Sequence, residues 1–222
     1  MNARRHDPRA DMSSTPLDRF PILRSADIEH TREVIYHFVR RHPIDLVRPD
    51  DGLDAYLNGR RLDRVGAAYL TFGAETRTQP GELDFYLLQI VLSGSYTVWL
   101  GDREIQARPG SAVILSPGDD VSTWWSADCG LLYFTVGAAD YQEHLAGLLA
   151  RPLPERLRFE PEMDLLSGPG RDLNVGIIRP LTQRLNQVFG LVAHAVLVRQ
   201  LEDTLLTGLL RAQPNTYSAA LR

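Results

Sequence analysis

Two apolar runs decide the fold class: Leu83-Asp84-Phe85-Tyr86-Leu87-Leu88-Gln89-Ile90-Val91-Leu92 and, after Ser93-Gly94, Ser95-Tyr96-Thr97-Val98-Trp99-Leu100. Both are rich in β-branched and aromatic residues, and a glycine turn joins them, the pattern of paired strands. Working outward, the same punctuation recurs. Upstream, Gly66 to Phe72 runs into a polar break that ends at Pro80-Gly81. Downstream come Gly101-Asp102, Arg103 to Arg108, Pro109-Gly110, Ser111 to Leu115, Pro117-Gly118-Asp119, Val121 to Ser126 and Leu131 to Val136. Short strands with turn dipeptides every ~8–12 residues indicate an antiparallel sandwich or barrel.

Outside residues 66–136 the period changes from two to 3.6. Asp27 is placed to cap a helix whose apolar face is Val34, Ile35, Phe38 and Val39, ending before Pro43. Residues 44–65 are mixed and charged, with room for one or two edge strands. Asp140 is expected to cap a short helix carrying Tyr141, Leu145, Leu148 and Leu149, stopped by Pro152 and Pro154. Residues 155–175 read as loop, broken at Ser167-Gly168-Pro169-Gly170. Two helices follow, one with Ile178, Leu181, Leu185, Val188 and Phe189, the other with Val198, Leu201, Leu205, Leu206, Leu209 and Leu210. The short link makes them an antiparallel hairpin. The expected fold is α+β: a barrel of antiparallel strands with a helix before it and a helical hairpin after it. The leucine arc of the last helix has two readings, a cover for the barrel or part of a dimer seam.

Composition narrows the functional classes. The chain has 222 residues, a net charge of -4 and a single cysteine, Cys129. An acidic balance argues against binding nucleic acid by these residues alone, and one cysteine fits a reducing cytosol. No stretch approaches the ~18 apolar residues of a membrane span, and no apolar segment follows the polar N-terminus. All 24 basic residues are arginine, a bias that points to GC-rich bacterial coding rather than to chemistry. Residues 1–18 are polar, with Pro8, Pro16 and Ser13-Ser14-Thr15, and read as a flexible arm.

Catalytic patterns are sparse. The histidines are His6, His30, His37, His42, His144 and His194, none of them within residues 66–136. Paired inward imidazoles for a metal are therefore not expected, and the reading is no metal and no cofactor. No Gly-x-Ser-x-Gly elbow is present, and Cys129 reads either as a thiol nucleophile or as a small buried hydrophobe. Aromatic residues remain: Tyr69, Tyr86, Tyr96, Trp99, Trp124, Trp125 and Tyr133, about half of which alternation turns inward. They either fill the barrel or line a pocket for a small organic molecule. Gln89 interrupts an apolar strand and needs a partner wherever it is buried.

Several segments, taken in order, resemble the N-terminal effector-binding and dimerisation domain of AraC/XylS-type transcriptional regulators. They are Leu23-Arg24-Ser25-x-Asp27, His42, Phe85 to Gly94, Arg108 to Gly118, Trp125 to Cys129, and Leu201 to Leu210 followed by Gln213-Pro214-Asn215. The resemblance spans residues 20–215. It implies a cupin-like jelly roll over residues 19–137 that binds an effector, with a helical dimerisation region over 138–213. Residues 214–222 would begin a linker to a helix-turn-helix domain that this chain does not contain, so DNA binding would belong to a longer protein. Residues expected at the ligand are Arg24, His42, Tyr69, Tyr86, Gln89, Tyr96, Trp99 and Trp125. Those expected at the homodimer are Leu185, Val188, Leu201, Leu205 and Leu209. A rival reading is a metal-free enzyme, an isomerase or lyase, built on Glu75, Glu82, Asp84, Arg77, Arg103, Glu104 and Arg108. A third is a dimerisation module with a filled barrel.

Overall fold

The computed structural model of the chain describes residues 15–37, 42–48, 50, 52–187 and 194–221. Among the described residues twelve strands form two antiparallel sheets. In chain order they are β1 (Pro21–Ser25), β2 (Ile44–Leu46), β3 (Ala55–Arg61), β4 (Val65–Thr71), β5 (Thr76–Glu82), β6 (Phe85–Ser93), β7 (Tyr96–Leu100), β8 (Arg103–Ala107), β9 (Ser111–Leu115), β10 (Asp120–Trp125), β11 (Gly130–Gly137) and β12 (Glu162–Asp164). One sheet runs β1-β3-β4-β11-β6-β9-β12 and the other β2-β5-β10-β7-β8. The antiparallel sandwich expected from the strand block is therefore present, and it is wider than expected. β1 and β12, at opposite edges of the larger sheet, lie outside the sequence reading. β5 occupies the supposed polar break, because its inward residues are threonines: Thr76 and Thr78 are buried, and polarity hides the alternation.

Helix α1 (Ile28–Tyr36) starts where expected, with the Asp27 carboxylate accepting from the Glu29 and His30 amides at 2.7 and 3.1 Å. Phe38 and Val39 lie outside the described residues. Helix α2 (Ala138–Leu149) follows β11 directly, with Gly137, the last paired residue of the strand, rather than Asp140 at its N-cap. Asp140 instead sits in the first turn, where an acid favours the helix dipole. The Ser167-Gly168-Pro169-Gly170 stretch opens a helix rather than breaking one. Pro169 stands in the first turn of α3 (Gly168–Leu173), where its missing N–H costs nothing. A π-helical turn (Asn174–Ile178) joins α3 to α4 (Arg179–Leu185). Pro180 supplies a local cause, because it has no N–H for the Gly176 carbonyl, and the Arg179 amide reaches back to Asn174 instead. Helix α5 (Ala195–Ala212) packs across this kinked segment. Gly208 permits the approach, since a Cβ there would stand 2.6 Å from Ile177 and 2.8 Å from Leu173.

Both faces of the larger sheet are covered. Leu87, Val91, Val113 and Leu131 face the smaller sheet, with Tyr96, Val98 and Trp125 opposite. Tyr86, Leu88, Ile90, Leu132 and Phe134 face the helices. That second core contains Leu185, Leu205 and Leu209, exposed by 0, 0 and 2%. These three leucines, expected at the dimer seam, are thus enclosed by their own chain. Leu201 is half-buried against the same core, and Val188 lies outside the described residues. The polar face of α5 is tied down as well. Glu202, fully buried, accepts from the Arg64 and Val65 amides at 2.7 and 3.0 Å and pairs with the Arg64 guanidinium at 3.1 Å. Asp203 takes the other side of that guanidinium at 2.7 Å.

The chain's ends join this layer. Leu17, expected in a loose arm, is fully buried in the helical core with φ 58°; residues 1–14 lie outside the described residues. Residues 214–221 do not leave the fold as a linker. Tyr217 is buried, and its hydroxyl donates to the Glu155 carbonyl at 2.6 Å.

Truncating Leu205 to alanine is expected to destabilise the chain by about 2–5 kcal/mol, the cost of emptying a sealed core position. Urea denaturation would measure it. The folded fraction should keep the wild-type oligomeric state, whereas selective loss of a dimer at unchanged stability would reinstate a seam role.

Candidate functional site

Between the sheets lies a cavity of about 290 Å³. It exists because β3 and β4 present small residues inward. Gly59, Gly66 and Ala68 leave a floor without side chains, flanked by Leu57 and Leu70. Gly66 is needed for a second reason, since a Cβ there would collide with the Thr135 hydroxyl. The walls are apolar and aromatic. Phe72 and Tyr96 meet Trp125 edge-on, with ring centroids 4.9 and 5.2 Å away, and Tyr133 tilts against it at 6.2 Å. The end of α1 contributes Ile35 and His37, and His42 follows it; Arg60 and Arg61 close the β3 side.

A short polar strip crosses this apolar interior. The Gln89 amide donates to the Tyr96 hydroxyl at 2.8 Å. The Trp125 indole N–H donates to the Thr123 hydroxyl at 2.8 Å, and Thr78 and Thr123 share a hydrogen bond of 2.7 Å. One atom is left over: Gln89 Oε1 is buried with no hydrogen-bond partner. Such a group costs about 1–3 kcal/mol relative to a satisfied one. Burial drives the Tyr96 and Tyr133 hydroxyls well above the usual phenol pKa, so both are neutral donors across the physiological range.

Four of the eight expected ligand residues come together here: His42, Gln89, Tyr96 and Trp125. The other four do not. Arg24 is exposed on the outward side of β1, stacked over Tyr56 at 4.4 Å. Tyr69 lies on the outward parity of β4, its hydroxyl close against Gly130. Tyr86 faces the helices, donating to the Leu157 carbonyl at 2.8 Å. Trp99 faces outward on β7, its indole N–H on Glu104 at 3.1 Å. Of the adjacent tryptophans, Trp125 points in, while Trp124 donates to Glu75 at 2.7 Å. Arg60, Arg61 and Thr135 belong to the site and were not singled out, and Tyr133, named among the strand aromatics but not among the ligand residues, joins them. Gly59 and the Gly66-Ala67-Ala68 run were the available signal, small residues in strands marking a close approach or a space.

None of the residues of the rival enzyme reading lines the cavity. Among the described residues no group of three or more His, Cys, Asp or Glu is placed to hold a metal ion. Cys129 is buried, and desolvation pushes its thiol up to about 12, which leaves little thiolate at neutral pH.

The fold and this partly open, largely apolar cavity define a two-sheet antiparallel sandwich with space between its sheets for a small molecule. The sequence matches the AraC-binding-like domain over residues 31–211, and the chain belongs to that family. Among solved structures, the AraC-like transcriptional activator CuxR is similar in fold, with 17% identity and a TM-score of 0.56. The match covers 78% of this chain and 63% of that one, so the chain spans less than two thirds of its length. A putative ethanolamine utilisation protein Q from Salmonella typhimurium matches 38% of this chain and 71% of its own, at 16% identity and a TM-score of 0.33. A cupin superfamily protein from Desulfitobacterium hafniense matches 41% and 83%, at 15% identity and a TM-score of 0.33. No curated protein matches the sequence significantly.

Replacing Tyr96 with phenylalanine strands the second end of the Gln89 amide and should cost about 1–3 kcal/mol. Adding Gln89→Met should restore most of that, since both partners are then apolar. A double-mutant cycle in urea checks this. Cys129 should resist a disulfide reagent at pH 8 in the folded chain and react on unfolding.

Proposed function

We propose that this chain is the effector-sensing and dimerisation part of a bacterial cytoplasmic transcriptional regulator. It binds a small organic molecule without catalysing its conversion, and it controls DNA binding by a helix-turn-helix domain outside these residues. The observation that carries the reading is the cavity itself: set between the sheets, mostly apolar, and holding an unsatisfied polar atom, inside a domain of a regulatory family. No membrane-length apolar helix occurs among the described residues.

The route from cavity to helices runs through β3. Arg60 lines the cavity, and its guanidinium caps the end of α4, donating to the Leu185 and Gln187 carbonyls at 3.3 and 3.1 Å. It also stacks on Phe20 at 4.6 Å. A ligand that prefers one position of β3 would thereby prefer one position of the helical layer, which is all that coupling requires. In the proposed dimer a second copy would use surface other than Leu185, Leu205 and Leu209. Leu148, Val175 and Val196 are exposed apolar residues on that layer.

A thermal-denaturation screen of metabolites tests the reading. A true effector at a hundred times its Kd should add about 2.7 kcal/mol of stability, and Ala68→Trp, which fills the floor, should abolish the gain. Consumption of the hit during incubation would replace the sensor reading with the enzyme one.

A further inference from the structure

The polar groups around the cavity are unequally distributed, and the imbalance restricts what it accepts. Among the described residues no aspartate or glutamate lines it, whereas Arg60 and Arg61 do. Arg60 is engaged with the end of α4. Arg61 is not: it is exposed on the inward parity of β3 and has no ion pair or hydrogen bond among the described residues. A cation entering the cavity would lose its hydration with no counter-charge to replace it, which is strongly unfavourable. An anion reaching the Arg61 edge would find a free guanidinium able to grip it with two parallel hydrogen bonds.

The other end is set by Gln89, which is 3% exposed. Its amide has one end on Tyr96 and the other bare. Turning the amide over exchanges the ends but still leaves one unsatisfied. A ligand hydroxyl, donor and acceptor at once, completes the amide in either orientation. Tyr133, cross-strand partner of Gln89 on β11, also lines the cavity and offers a second polar tip to a ligand there.

Strand register fixes the separation of the two ends. Gln89 pairs with Tyr133, Tyr133 with Ala68, and Ala68 with Gly59, with Arg61 two residues further along β3. Three strand spacings of about 4.8 Å make roughly 14 Å across the sheet. The two side chains reach inward over part of that span. The rings of Phe72, Tyr96 and Trp125 line the same cavity.

We propose that the cavity takes a small hydroxylated carboxylate: hydroxyl on Gln89, apolar body against the aromatic wall, carboxylate on Arg61. This rests on the effector-binding reading and specifies its ligand class. The structure disfavours amines and purely apolar molecules as ligands.

Isothermal titration of the chain with three probes of one shape provides the test. They are 3-(4-hydroxyphenyl)propanoate, 3-phenylpropanoate and tyramine. The first should bind, the second about tenfold more weakly, and the third not measurably. Arg61→Ala, an exposed substitution that should leave folding intact, should weaken the first by about tenfold. Gln89→Met should erase the difference between the first two, and Ala68→Trp should abolish binding. Tyramine binding as tightly as the acid, no advantage from the hydroxyl, or no effect of Arg61→Ala would each overturn the assignment. If none of the three binds while the wider screen still yields a ligand blocked by Ala68→Trp, the ligand class falls and the sensor reading stands. If that screen is also empty, both fall.

Discussion

Burial of both faces of one sheet is the constraint on which the rest depends. Along β6, Leu87, Gln89 and Val91 look into the sandwich, while Tyr86, Leu88 and Ile90 look into the helical layer. An antiparallel sheet can leave one face to water; this one cannot, because the outward residues of β6 and β11 are large and apolar. The helices are therefore the second half of the sheet's own core. Tyr86 shows how closely they are joined. Its ring meets Tyr141 of α2 edge-on at 5.0 Å and Phe159 at 6.0 Å, and its hydroxyl is spent on a loop carbonyl. Three residues along the same strand, Gln89 faces the cavity.

This double burial explains what could be read in the sequence and what could not. β6 reads as a nearly continuous apolar run because it serves two cores, and its glycine punctuation is unambiguous. Gly94 adopts φ 67° with Cys129 backbone packed where a Cβ would be. Such a run gives no alternation from which to tell the faces apart. Tyr86 was thus assigned to the ligand although its parity sets it against the helices. Tyr69, Trp99 and Arg24 likewise stand on the parity that faces away from the cavity. The leucines of α5 posed the corresponding ambiguity for helices. A stripe that packs on a sheet and one that packs on a second copy share a period, and only the larger sheet's apolar outer face decides between them. β5 and β12 were missed on different grounds, the first because its buried residues are threonines, the second because a strand of three residues has no period.

The cavity owes its existence to residues that carry no chemistry. Gly59, Gly66 and Ala68 subtract volume from the middle of a densely packed sandwich, and the polar strip from Gln89 to Thr78 then crosses the space they leave. Packing at ordinary interior density would fill such a gap with side chains. An opening kept beside an incompletely bonded amide is costly to an isolated protein, and a bound partner would repay that cost.

Glu202 also sets the length of a distant turn. Its carboxylate holds two consecutive amides at the start of β4, those of Arg64 and Val65, from a helix nearly 140 residues later in the chain. A buried acid bonded to main-chain groups reads geometry and not side-chain identity. The β3–β4 turn can therefore change its residue at the exposed Asp63 with little effect, but it cannot gain or lose one. An insertion there would carry the amides away from a charge that has no water to turn to. Relatives that keep an acid at this position of the last helix should keep this turn at a single length, even where the neighbouring loops vary.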